Sequence, residues 1–164
     1  MKVQDYSVSF VRYAVVVRFL GIDYGQRRIG LALSDATALL ARPWKVMPRQ
    51  GNPSQVAAEL ASLIRGLASE EDGLAGVVVG LPRKLDGSPS DLTATVETIA
   101  ATLGKTLDVP VVLQDERLSS REAESLLARR LKDWRDRKSL LDATAAAVIL
   151  QDYLDGRPRE DWQQ

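Results

Sequence analysis

The strongest constraint on the fold is a change of apolar period at Pro53. Before it, Val15 to Asp23 (VVVRFLGID) is rich in β-branched and apolar residues and stops at Tyr24-Gly25, which predicts a strand ending in a turn. Arg28 to Asp35 predicts a second strand, because Ile29, Leu31 and Leu33 alternate with Gly30, Ala32 and Ser34. A tight hairpin joins the two. Leu40 to Pro48 predicts a weaker third strand with proline at each side, as an edge tolerates. After Pro53 the apolar positions Val56, Leu60, Leu63, Ile64 and Leu67 fall at helical spacing, behind Asn52 as N-cap. Gly76 to Leu81 and Pro110 to Asp115 are short continuous apolar runs, expected for strands buried on both faces. Between and after them the pattern predicts helices from Ser88-Pro89 to about Leu103, from Ser119 to about Leu131 and from about Ser139 to Leu154.

A meander followed by strand-helix alternation implies an α/β domain with one mixed five-stranded sheet, antiparallel at the start and parallel later, flanked by helices. One domain over residues 15–155 is expected, with residues 1–14 as an extension and 156–164 as a tail. No apolar stretch approaches the ~20 residues of a membrane span, and no signal peptide is visible, so a cytoplasmic location is expected.

Two absences narrow the chemistry. Without cysteine there are no disulfides, thiolate zinc sites or cysteine nucleophiles. Without histidine there is no serine–histidine–aspartate triad and no imidazole proton shuttle. What remains is carboxylates, hydroxyls, lysine, arginine or a hard metal ion.

Three acidic positions lie at element ends, where the ligand crevice of such a sheet forms. Asp23 closes the first strand in GIDYG, although aspartate and glycine are also ordinary turn residues. Asp115 and Glu116 leave the last strand; side chains alternate across a strand, so only one of them faces the crevice unless the strand bulges. Asp142 has the S-x-x-D spacing of a capping box with Ser139. Against that reading, Ala143, Ala145, Ala146 and Ala147 let the helix axis approach the sheet and bring Asp142 beside Asp23. Converging carboxylates repel unless a cation sits between them, and an oxygen-only set selects Mg²⁺ or Mn²⁺. Such ions catalyse displacement at phosphodiesters and so replace the missing histidine base.

Lysine plus arginine (22) equals aspartate plus glutamate (22), so a nucleic-acid partner would be held by local positive patches. Candidates are Arg27, Arg28, Arg83, Lys84, Arg117, Arg121 and Lys138, the last in a run from Arg129 with six basic residues against two aspartates. The loop Arg83 to Gly87 is flexible in composition and suited to move over a substrate.

GIDYGQRRIGLALSD, VVVGLPRKLDGS, DERLSSREAE and SLLDATAAAVILQDYL, in this order, resemble the YqgF (also called RuvX) family of bacterial ribonuclease H-like nucleases. The likeness runs from about Arg18 to Leu154. It implies a ribonuclease H-like fold and a divalent-metal-dependent endonuclease that matures the 5′ end of pre-16S ribosomal RNA or, alternatively, resolves Holliday junctions in branched DNA. By resemblance Asp23, Glu116 and Asp142 take the places of the catalytic, metal-binding acids. Gln26 stands where threonine is common, and Ser139 stands one turn before Asp142, where some related resolvases carry a fourth acid. The expected partner is RNA or branched DNA and no membrane, with the chain a monomer or a homodimer. Two other classes fit less well: an ATP-binding domain, suggested by Asp23, Gly25 and Gly30 but too short for two lobes, and a nucleic-acid binder that never cuts.

Overall fold

The computed structural model describes residues 18–116 and 134–158. Its elements are β1 (Phe19–Tyr24), β2 (Arg28–Ser34), β3 (Ala41–Pro48), α1 (Pro53–Ala68), β4 (Gly76–Leu81), α2 (Thr93–Thr106), β5 (Val111–Asp115) and α3 (Trp134–Asp155). The five strands form one sheet in the order β3-β2-β1-β4-β5, antiparallel across β3, β2 and β1 and parallel across β1, β4 and β5. The mixed sheet expected from the period change is therefore present.

Alternation sorts each strand onto two layers. Leu20, Ile22 and Tyr24 of β1, Ile29 and Leu31 of β2, and Val77, Val79 and Leu81 of β4 pack with Val56, Leu60 and Ile64 of α1 and Val96, Ile99 and Leu103 of α2. The opposite face carries Phe19, Ala32 and Val78, covered by Ala146, Ala147, Ile149 and Leu150 of α3. The small side chains on this face let α3 lie close: a Cβ on Gly21 would come within 2.8 Å of the Leu150 Cβ and 2.9 Å of the Ala146 carbonyl. Gln151 fixes the helix to the sheet edge, its Oε1 accepting from the Ala41 N–H at 2.9 Å and its Nε2 donating to the Leu39 carbonyl at 3.0 Å.

Asn52 and Gln55 cap α1 reciprocally, with the Gln55 N–H donating to Asn52 Oδ1 at 3.0 Å and the Asn52 N–H to Gln55 Oε1 at 2.8 Å. Three expectations need correction. β5 is an edge strand and only half-buried, with Leu113 exposed, because it has a neighbour on one side alone among the described residues. α2 begins at Thr93, since Ser88 and Pro89 are taken up by a hairpin that pairs Pro89 with Arg83. α3 begins at Trp134, which leaves Asp142 inside the helix and removes its capping role. The predicted strand start at Val15 and the helix from Ser119 lie outside the described residues. No described helix is long and apolar enough to cross a membrane.

Candidate active site

The parallel strands β1, β4 and β5 end on one edge of the sheet, and the acids collect there. Asp23 is the fifth residue of β1 and falls on the α3 face with Phe19 and Gly21. Across the β1–β2 ladder it pairs with Gly30. A Cβ on Gly30 would collide with the backbone carbonyl of Asp142, so the bare glycine lets α3 set Asp142 down over β2 directly beside Asp23. The approach expected from the alanines after Asp142 is thus made, with Ala143 and Ala146 fully buried against the sheet.

The register of β5 decides between its two terminal acids. Val112 pairs with Val78 and Gln114 with Gly80, both on the α3 face, so Glu116 continues that face and Asp115 points to the opposite one. Gly80 makes the room: a Cβ there would lie 2.7 Å from Glu116 Oε1 and 2.7 Å from the Ile149 Cδ1. Gly80 was invisible to sequence reasoning, which saw only an apolar run; its meaning depends on which side chain crosses it.

Electrostatics tie the acids together. Burial, and then the Asp142 carboxylate, pushes the Asp23 carboxyl up to about 6. Burial, then Asp23, then Asp115, pushes Glu116 up to about 7. Asp23 is therefore the shared neighbour of the other two. Among the described residues no three acidic side chains converge on a point as a finished ion cage. Asp142 is turned partly toward Arg28, whose Nη1 lies 3.6 Å from Asp142 Oδ2 across a largely exposed gap. The donor set nevertheless suits a hard divalent ion: half-buried carboxylates with excess negative charge, no cysteine or imidazole ligand in the sequence, and one weak cationic neighbour among the described residues.

Positive charge surrounds the β1 end. Arg27 and Arg28 are exposed in the hairpin. Arg49 joins them and was missed, because only the β2–β3 register reveals it: Pro48 pairs with Arg28, and the Arg49 N–H donates to the Arg27 carbonyl at 2.9 Å. Its guanidinium donates to the Gly25 carbonyl at 3.2 Å and stacks 5.0 Å from the Tyr24 ring centroid, which steadies the turn after Asp23. Lys84 is exposed, whereas Arg83 turns back to donate to the Gly87 carbonyl at 3.1 Å and braces its own loop. Arg117, Arg121 and the side chain of Lys138 lie outside the described residues.

The family model described as RuvX, Holliday junction resolvase, matches residues 17–156. A protein of Anaeromyxobacter sp. (strain Fw109-5) named "Putative pre-16S rRNA nuclease" is 44% identical over 141 residues, 86% of this chain and 98% of that one. A protein of the same name from Pelotomaculum thermopropionicum is 35% identical over 147 residues, 88% and 92% of the two chains. Among solved structures, Thermus thermophilus RuvC in complex with a Holliday junction substrate matches with a TM-score of 0.54 at 17% identity, over 85% of this chain and 95% of that one. At that identity the likeness concerns the fold, which is ribonuclease H-like. The family match and the relatives show that the chain belongs to the RuvX family and is a nuclease.

Proposed function

We propose that the chain is a divalent-metal-dependent endonuclease, that Asp23, Glu116 and Asp142 are its catalytic and metal-holding acids, and that it matures the 5′ end of pre-16S ribosomal RNA in the cytoplasm. The observation that carries this reading is that β1, β5 and α3 bring Asp23, Glu116 and Asp142 to one face of the sheet, where burial and then neighbouring carboxylates push Asp23 up to about 6 and Glu116 up to about 7. Carboxyls kept apart as turn or capping groups would not press on each other in this way. The substrate follows the name shared by the Anaeromyxobacter and Pelotomaculum relatives.

Asp23, Glu116 and Asp142 would hold Mg²⁺ or Mn²⁺, which when bound supplies a Lewis acid for the phosphoryl oxygen and an acidified water. The protein's own residues do the rest. Arg27, Arg28, Arg49 and Lys84 hold flanking phosphates and fix the backbone in register over the acids. Arg28 also balances the charge of Asp142 until a phosphate draws it away. The half-buried setting of Asp23 and Glu116 thins the water around the reacting centre and strengthens each charge interaction there.

A labelled precursor transcript tests the proposal. Cutting should require Mg²⁺ or Mn²⁺ and fall at least ~100-fold in D23N and E116Q, in keeping with removal of a principal electrostatic group; unchanged cutting refutes it. The alternative is a resolvase of branched DNA, favoured by the description of the matching family. Resolution needs two symmetric cuts and hence a dimer. Solution mass, with a junction and a transcript assayed side by side, separates the two.

A further inference from the structure

Leu85 is 98% exposed, more than any other large apolar side chain among the described residues. It sits on a hydrogen-bonded hairpin. The Lys84 N–H donates to the Ser88 carbonyl at 2.9 Å, the Gly87 N–H to the Lys84 carbonyl at 2.9 Å, and Arg83 pairs with Pro89 across the hairpin. Asp86 Oδ1 accepts from the Ser88 N–H at 2.9 Å and the Ser88 hydroxyl at 2.6 Å, which folds the only acid of the hairpin back into it. Gly87 supplies the left-handed residue at φ 89°. At the base, the Thr93 hydroxyl donates to the Pro82 carbonyl and accepts from the Ser90 N–H at 2.8 Å. The result is a hydrogen-bonded finger with a leucine tip.

The finger leaves the end of β4, the strand that lies between β1 and β5 in the sheet. Its root therefore stands at the same end of the sheet as Asp23, on the strand flanked by β1 and by the strand that precedes Glu116, with exposed Lys84 next to its tip. A leucine held out by a prepaid set of bonds loses little freedom on binding. A single aliphatic tip is too small to form a protein-docking patch, and the other large exposed apolar residues among the described ones, Leu39, Trp44 and Leu113, belong to other elements. Apolar tips of this size do suit the faces of bases, where they lodge between or beside unstacked nucleotides while neighbouring cations hold the phosphates.

We propose that Leu85 is a wedge that lodges against an unpaired or unstacked nucleobase beside the scissile phosphate, so that the site selects nucleic acid with unpaired nucleotides over continuous duplex. This inference rests on the nuclease reading for the location of the scissile bond, and concerns selection rather than bond breakage.

The test is binding in EDTA, where cutting is suppressed. Two RNA probes are compared, one with a short unpaired segment carrying 2-aminopurine and one fully paired, and the same pair is made in DNA. Wild-type protein should prefer the unpaired probe by ~10-fold and change its 2-aminopurine emission. L85A should lose most of that preference and the emission change, whereas L85F should keep both. The melting temperature of L85A should match wild type, since the side chain packs on nothing. Equal preference in L85A and wild type overturns the proposal, as does a preference absent from wild type on both RNA and DNA. A protein that shows the Leu85-dependent preference but never cuts in Mg²⁺ or Mn²⁺ would refute the nuclease reading alone; one that cuts without that preference would refute the wedge alone.

Discussion

The backbone carbonyl of Asp142 rests on the bare α-carbon of Gly30, and Gly30 is the ladder partner of Asp23. The distance between helix and sheet at this spot thus sets the distance between two acids from opposite ends of the chain. G30A should push α3 outward. Overpacking of this kind costs about 1–3 kcal/mol, so a lower melting temperature is expected together with weaker Mn²⁺ binding by calorimetry. Destabilisation with unchanged Mn²⁺ affinity would show that the helix position does not govern the site.

Gly66 gives the opposite result for the same substitution. It lies inside α1, is exposed, and a Cβ there would meet nothing within 4 Å. G66A should stabilise the protein by about 0.5–1 kcal/mol through helix propensity, measured by urea denaturation, with cutting unaffected.

Stability should fall as pH rises from about 4 to about 7 in the absence of divalent ions. Asp23 and Glu116 are raised from 3.8 and 4.5 to about 6 and about 7, so in this window the folded protein holds protons that the unfolded chain has released. The penalty is complete above pH 7 and absent below the unfolded values. Neutral D23N should therefore be more stable than wild type at pH 7.5, by about 1–2 kcal/mol once solvent screening is allowed for, and no more stable at pH 3.5. Melts in EDTA at the two pH values check this.

Divalent ions should reverse that trend. Mn²⁺ at a hundredfold excess over its dissociation constant adds about 2.7 kcal/mol to a folded state that alone binds it. Protons compete for Asp23 and Glu116, so the gain in melting temperature should be larger at pH 7.5 than at pH 5.5 and absent in D23N.

Arg28 faces Asp142 at 3.6 Å with both groups largely exposed, and such pairs contribute little to stability. R28Q should melt within about 0.5 kcal/mol of wild type yet bind RNA more weakly, with the slope of log affinity against log salt reduced by about 1. Fluorescence anisotropy across a salt series measures it.

What could be read from the residues alone followed from local periodicity. The alternation of Ile29, Leu31 and Leu33 placed β2, and Asn52-Pro53 placed the start of α1. The alanines after Asp142 pointed to close packing on the sheet, which is present. Features that depend on a partner strand were out of reach. Choosing Glu116 over Asp115 needs the pairing of Gln114 with Gly80, and Arg49 gains meaning only from the pairing of Pro48 with Arg28. The bonding of the finger was out of reach for a similar reason: glycine, serine and proline do not announce that Ser88, Ser90 and Thr93 direct hydroxyls or backbone groups to Asp86 and Pro82. The start of α3 was set too late because Ser139 imitates a cap.

Asp23 lies on β1 and Asp142 on α3, so the two acids become neighbours only when that helix docks on the sheet. Their proximity is a property of the completed fold and of no local segment.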